Sequence, residues 1–82
     1  MQNTYVEKTV KIPLSTQLEA NVAIAANCKI EGGCVIKNTC IGSDCVIGKN
    51  VTIKNCIIDS KVRIEDNCEL INTIILSGSI IK

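Results

Sequence analysis

Large aliphatic residues recur along nearly the whole chain at steps of six residues, and every third step from Ile24 onward is shortened to five. The rhythm runs without interruption from Val6 to Ile81, and the repeat from Ile24 onward therefore spans 17 residues. This spacing fits neither a single helical turn nor simple strand alternation. It predicts short strands wound around a triangular prism, with one large aliphatic side chain per side pointing inward. Each turn then buries its apolar edge against the neighbouring turns.

The composition supports an all-β fold. Phe and Trp are absent and Tyr5 is the single aromatic residue, although 46% of the chain is hydrophobic. Because β-branched residues pack well on a pleated surface, we expect a parallel β-helix of about four to five triangular coils. We assign residues 6–82 to this domain and residues 1–5 to a lead-in segment. The repeat stops in mid-pattern at Ile81, which suggests a fragment of a longer chain.

The corners of the predicted prism have their own pattern. The fourth residue of most hexads is one that tolerates a left-handed backbone, namely Asn27, Gly33, Asp44, Asn50, Asn67 and Gly78. At the shortened corner a separate column contains Asn38, Asn55 and Asn72. Their stacked amides are expected to hydrogen-bond from coil to coil, or simply to suit the turn.

A second inward column lies two residues before each large aliphatic residue and holds only small or slim side chains. Five of the six cysteines fall in it, and we interpret them as small hydrophobic core fillers. Their spacing is too wide for a structural zinc site. Cys28 and Cys45 would lie one strand spacing apart, within reach of a disulfide. We nevertheless expect free thiols. No secretory signal precedes the repeats, so we expect a reducing, cytoplasmic setting.

The residues beside each inward aliphatic point outward, and one of the three faces is apolar down the stack. Apolar stripes of this kind mark partner surfaces. We therefore predict a protein interface formed by Cys40, Ile57, Ile74 and Leu76 on this face, together with Ile71 and Ile80 from the other two faces. The alternative is that inward and outward positions are exchanged at the shortened corner, so that these side chains are buried. If the interface interpretation holds, Cys40 is the cysteine that reacts with alkylating reagents.

Charge and chemistry exclude several function classes. The formal net charge is +1, which gives no general attraction to nucleic acid or to acidic membranes. No apolar run approaches the ~20 residues that a membrane-spanning helix needs. Histidine is absent, and the carboxylates form no convergent pair for general acid–base chemistry. We therefore predict no catalytic, cofactor-binding or metal-binding residue in this segment.

The hexads of the form aliphatic-Gly-x-x-small, as in Ile41-Gly42-Ser43-Asp44-Cys45, resemble the hexapeptide repeats of left-handed parallel β-helices. The left hand is implied by that resemblance and departs from the usual right-handed crossover. Hexapeptide acyltransferases and γ-class carbonic anhydrases depend on histidine, so the resemblance implies a relationship to the non-catalytic members.

A finer resemblance is to the gamma-subunit family of eukaryotic translation initiation factor 2B. It covers about residues 11–82 and rests on Lys11-Ile12-Pro13, on Ile41-Gly42-Ser43-x-Cys45, on residues 51–58, and on Glu65-Asp66 with Ile74-Ile75. It implies a scaffold and subunit-interaction domain of a guanine-nucleotide exchange complex, with an epsilon-like β-helix subunit and other exchange-factor subunits as partners. It also implies a nucleotidyltransferase-like domain upstream of these 82 residues.

Two alternatives remain at this point. One is the C-terminal oligomerisation or regulatory β-helix of a sugar-nucleotide pyrophosphorylase. The other is a free-standing structural β-helix that assembles into larger complexes. The first would be recognised by a fused nucleotidyltransferase domain that keeps its Gly-rich catalytic loop.

Overall fold

A computed structural model describes residues 3–82 of the chain. Met1 and Gln2, which belong to the predicted lead-in segment, lie outside the described residues. The described part contains strands and turns and no helix. The strands are β1 (Thr4–Val6), β2 (Gln17–Ile24), β3 (Lys29–Ile30), β4 (Val35–Ile41), β5 (Val46–Ile47), β6 (Thr52–Lys54), β7 (Ile57–Ile58), β8 (Arg63–Ile64), β9 (Glu69–Ile71), β10 (Ile74–Ile75) and β11 (Ile80–Ile81).

Every strand pair is parallel, and the strands stack as a three-sided solenoid of about five turns. One face is the four-stranded sheet in the order β11-β8-β5-β3. The other two faces belong to a single sheet, because β2 and β4 are long enough to pass around the shortened corner between them. The alignment of Ile30 with Ile47 and of Ile47 with Ile64 confirms the predicted repeat of 17 residues.

The core is a triangular column of stacked aliphatic side chains. The residues that the repeat assigned to the interior are buried in the middle coils, with Ile36, Ile47 and Ile53 fully so. The second inward column fills the space between them with small side chains, among them Cys34, Cys45, Val51 and Val62. A prism this narrow accommodates one large side chain per side, which explains why the chain can dispense with Phe and Trp.

The corners adopt the backbone conformation that their residue types predict. All six predicted corner residues and the three asparagines of the shortened corner have positive φ angles, between 49° and 80°. The side-chain amide of Asn38 donates a hydrogen bond to Oδ1 of Asn55 over 3.2 Å, and its own Oδ1 accepts one from the backbone N–H of Asn21 over 3.3 Å. Part of the predicted amide ladder is therefore present.

The first coil departs from the regular repeat. The register of β2 against β4 shifts between Glu19 and Val22, so that this coil is one residue longer than those that follow. Residues 7–16 have turns at 8–9 and 14–15 but no assigned strand, and Val10 is buried there while Ile12 packs only partly against the core. The irregular coil covers the lower end of the column.

Candidate partner-binding surface

The three faces of the solenoid differ in what their outward side chains offer. On the four-stranded face, Lys29 pairs with Glu31 (Nζ to Oε2, 3.8 Å) and Arg63 pairs with Glu65 (Nε to Oε2, 2.8 Å). Both pairs are exposed, and exposed ion pairs contribute at most about 1 kcal/mol. We call this wall the charged face. A second wall, formed by β6, β9 and the first halves of β2 and β4, mixes lysines, glutamates and aliphatic residues.

The third wall carries an apolar column that crosses every coil of the solenoid. Strand pairing places five outward residues in register, one per coil, in the order Tyr5, Ala23, Cys40, Ile57 and Ile74. The side chains of Tyr5, Ile57 and Ile74 are 61%, 57% and 70% exposed. We call this wall the apolar face. Burial of so much aliphatic and aromatic surface on a partner would be favourable at about 25 cal/mol per Å².

A second outward column runs beside the first and adds depth to the surface. Leu76 is 70% exposed and stands on the last coil, while Gly42 leaves a gap in the middle of the column. Together the two columns line a shallow groove of about 510 Å³. Asp59 is the charged residue that lines it. A partner that covers the groove must therefore leave the Asp59 carboxylate in contact with water or supply it with a hydrogen-bond donor.

The structure places the six predicted interface residues on three different walls. Cys40, Ile57, Ile74 and Leu76 come together on the apolar face, whereas Ile71 lies in β9 on the mixed wall and Ile80 lies in β11 on the charged face. All six side chains are exposed, so the alternative that they are buried is wrong. A single flat partner cannot cover all six at once.

Tyr5 and Ala23 belong to the apolar face but were missed by the sequence pattern. Subtracting the 17-residue repeat from Cys40 leads to Ala23, so that position could have been found. Tyr5 needed the further step of 18 residues that the longer first coil imposes. An alanine also gives a weak apolar signal by itself.

The buried cysteines serve the core, as predicted, and they also make a regular set of hydrogen bonds. Each of four thiols donates to the backbone carbonyl of the residue 14 positions later: Cys28 to Gly42, Cys34 to Gly48, Cys45 to Asp59 and Cys56 to Leu70, at 3.0–3.4 Å. All six cysteines are free thiols. The neighbouring Cys28 thiol, together with burial, raises the pKa of Cys45 well above its usual range. Cys40, by contrast, is exposed.

Several carboxylates of the solenoid make local structural contacts. Oδ1 of Asp66 accepts a hydrogen bond from the Lys49 amide over 2.8 Å, and Oδ1 of Asp59 accepts one from the Ser60 amide over 2.7 Å. Within residues 3–82, no group of three or more His, Cys, Asp or Glu side chains is placed to hold a metal ion. A search of the same residues for an apolar helix long enough to cross a membrane found none.

A three-sided parallel solenoid whose sides are hexads defines the structural class of hexapeptide-repeat β-helices. The sequence matches the family model described as the EIF2B subunit epsilon LbH domain over residues 1–82. The chain therefore belongs to the left-handed β-helix domains of the eukaryotic translation initiation factor 2B type, and the predicted class and hand are confirmed. Among curated proteins, no sequence matches this chain.

Proposed function

We propose that this chain is a non-catalytic scaffold of a guanine-nucleotide exchange complex in translation initiation, and that it binds another subunit through the apolar face. The observation that carries the proposal is the in-register column of exposed apolar residues, centred on Cys40 and Ile57, in a member of this family. The proposal implies a cytoplasmic location, where translation initiation takes place.

A scaffold role agrees with how the side chains are used. Most of the large aliphatic residues fill the core, and acidic side chains such as Glu65 and Asp66 make an ion pair and a corner hydrogen bond. The titratable side chains that reach the surface are spread over separate walls. Catalysis instead requires an acid, a base or a nucleophile held together at one reacting atom. The wall that offers a continuous surface is apolar, and such walls bind proteins.

We further propose that the chain is gamma-like and that an epsilon-like β-helix subunit is its partner. The family model is that of the epsilon subunit, whereas Lys11-Ile12-Pro13 and residues 51–58 resemble the gamma subunit. The identity of the subunits that copurify with the chain separates the two assignments. A gamma-like chain retains an epsilon subunit, and an epsilon-like chain retains a gamma subunit.

The experiment is affinity purification of the tagged chain from its native cells, followed by identification of the bound proteins by mass spectrometry. We expect subunits of initiation factor 2B in the wild-type sample and their loss in Ile57→Asp. Ile80→Asp is the matched control, because Ile80 is 60% exposed on the charged face. Recovery of sugar-nucleotide enzymes, or retention of the exchange-factor subunits by a folded Ile57→Asp variant, would refute the proposal.

A further inference from the structure

One pair of cysteines is separated by the 17-residue repeat of the solenoid, and that pair is Cys28 and Cys45. The strands that follow them, β3 and β5, pair in register, and the backbone N–H of Lys29 donates to the carbonyl of Cys45 over 2.9 Å. Both side chains belong to the buried core. The two thiols therefore stack in adjacent coils, and the strand spacing of ~4.8 Å lies within the Cα separations that a disulfide spans.

A cavity beside the irregular first coil borders one member of the pair. Its volume is about 370 Å³, and it is lined by residues of the first coil, among them Lys11, and by residues 28–31. Cys28 is 6% exposed, whereas Cys45 is fully buried in the next coil. A small oxidant that enters this cavity therefore meets Cys28 first.

The surroundings of Cys28 favour its ionised form. The S–H of Cys45 can donate to a Cys28 thiolate, and this lowers the pKa of Cys28 to about 7, although burial and the Asp44 carboxylate act in the opposite direction. The thiolate is the form of cysteine that reacts with peroxides. Cys28 is therefore the reactive member of the pair, and Cys45 is placed to react with its oxidised product.

We propose that Cys28 and Cys45 form an oxidisable dithiol, in which a hydroperoxide that enters the first-coil cavity reacts at Cys28 and Cys45 then closes a disulfide between the two coils. The free thiols of the structure are the reduced state of this pair. The inference goes beyond the proposed function and does not depend on the exchange-factor assignment.

The reaction has two steps. The Cys28 thiolate attacks one peroxide oxygen, so that an S–O bond forms, the O–O bond breaks and hydroxide leaves. This step oxidises the sulfur to a sulfenic acid and reduces the peroxide. The sulfur of Cys45 then attacks the sulfur of Cys28, the S–O bond breaks, and the hydroxyl group leaves with the Cys45 proton as water. With hydrogen peroxide, the sum converts two thiols and one peroxide into one disulfide and two water molecules.

The reduced pair is stabilised by two hydrogen bonds that the disulfide cannot make. The Cys28 thiol donates to the carbonyl of Gly42 over 3.0 Å, and the Cys45 thiol donates to the carbonyl of Asp59 over 3.1 Å. Gly42 and Asp59 line the groove of the apolar face, so oxidation changes the hydrogen bonding directly beneath it. A disulfide whose reduced form is stabilised in this way is easier to reduce. We therefore expect glutathione to restore both thiols.

Treatment of the purified, reduced chain with hydrogen peroxide tests the pair without any substitution. We expect an internal disulfide, an intact mass lower by about 2 Da, and recovery of the original mass with reduced glutathione. Trypsin leaves Cys40 and Cys45 in one peptide, so fragment ions of the cross-linked peptides must assign the bond to Cys45. Cys28 should lose its free thiol at least about tenfold faster than the fully buried Cys34. Oxidation confined to Cys40, or equal rates for Cys28 and Cys34, overturns the proposal.

Two valine variants test the role of the second thiol. Cys45→Val should fold, because Val62 occupies the same column one coil later. Its Cys28 should react more slowly and stop at the sulfenic acid, which dimedone traps. Cys34→Val is the matched control, because Val51 follows Cys34 in its own column, and it should form the disulfide like the wild type. Circular dichroism shows whether each variant is folded. An internal disulfide that persists in Cys45→Val, or is lost in a folded Cys34→Val, contradicts the assignment.

Discussion

Ile47 is the residue at which the winding of the chain can be tested most directly. It is fully buried in β5, in register between Ile30 and Ile64, which are also buried. Ile47→Ala removes three carbon atoms from the packed column, at about 0.8 kcal/mol each, and leaves a cavity that neighbouring coils cannot fill. We expect a loss of about 3–4 kcal/mol in the free energy of unfolding. For a domain of this size that corresponds to a decrease in Tm of roughly 15–25 °C.

The same strand offers the matched control for this substitution. Val46 precedes Ile47, points outward between Lys29 and Arg63, and is only partly buried. Val46→Ala should therefore cost less than about 1 kcal/mol, and Ile47→Val, which removes a single carbon, should cost about 1 kcal/mol. Ile47→Asp should prevent folding, because an unpaired charge would enter the column.

Urea unfolding followed by circular dichroism measures the series. We expect the midpoints to fall in the order wild type, Val46→Ala or Ile47→Val, then Ile47→Ala, with unchanged slopes. If Ile47→Ala were no more harmful than Val46→Ala, or if Ile47→Asp folded, the inward and outward positions would be misassigned and the 17-residue register would be wrong.

Three further outcomes follow from individual positions. Lys61 has a φ angle of 60°. Lys61→Gly should therefore relieve backbone strain and raise the free energy of unfolding by about 0.5–1 kcal/mol in a urea titration. Lys61→Ala should not raise it. A Cβ atom at Gly48 would lie 2.8 Å from the backbone nitrogen of Asp66, so Gly48→Ala should lower Tm through a shift of the next coil, at a cost of about 1–3 kcal/mol. Maleimide should label Cys40 first in the native chain, and the fully buried Cys34 only after denaturation, as peptide mapping by mass spectrometry would show.

Much of the fold could be predicted from the sequence because one physical constraint repeats. A narrow prism needs a large aliphatic residue at each side and a residue tolerant of positive φ at each corner, so the period sets the register, the core and most corners. Ala20 and Lys61 also have positive φ angles, of 59° and 60°, although neither residue type favours them. Their local preference is overridden by the coils above and below, and residue identity alone could not reveal that.

The candidate surface could be predicted less completely. Cys40, Ile57 and Ile74 follow from the same period. Tyr5 does not, because the first coil has one extra residue and the 17-residue step from Ala23 misses it. The same columns assign Ile71 and Ile80 to the other two walls, where the structure places them. What covers the surface depends on the shape and charge of a partner, and the sequence of a single chain does not contain that information.

The neighbouring residues Ile57 and Ile58 show why a solenoid can carry a binding surface without weakening its fold. They are the same residue type in the same two-residue strand, yet Ile57 is 57% exposed and Ile58 is 2% exposed. Strand alternation assigns one to the wall and the other to the column. Because the column alone fixes the register, the outward position is free of folding constraints, and an exposed β-branched residue persists there at no cost to packing. Two such residues, Ile57 and Ile74, lie exposed in successive coils above Cys40, and loss of the copurifying subunits in a folded Ile57→Asp variant would show that they serve to bind a partner.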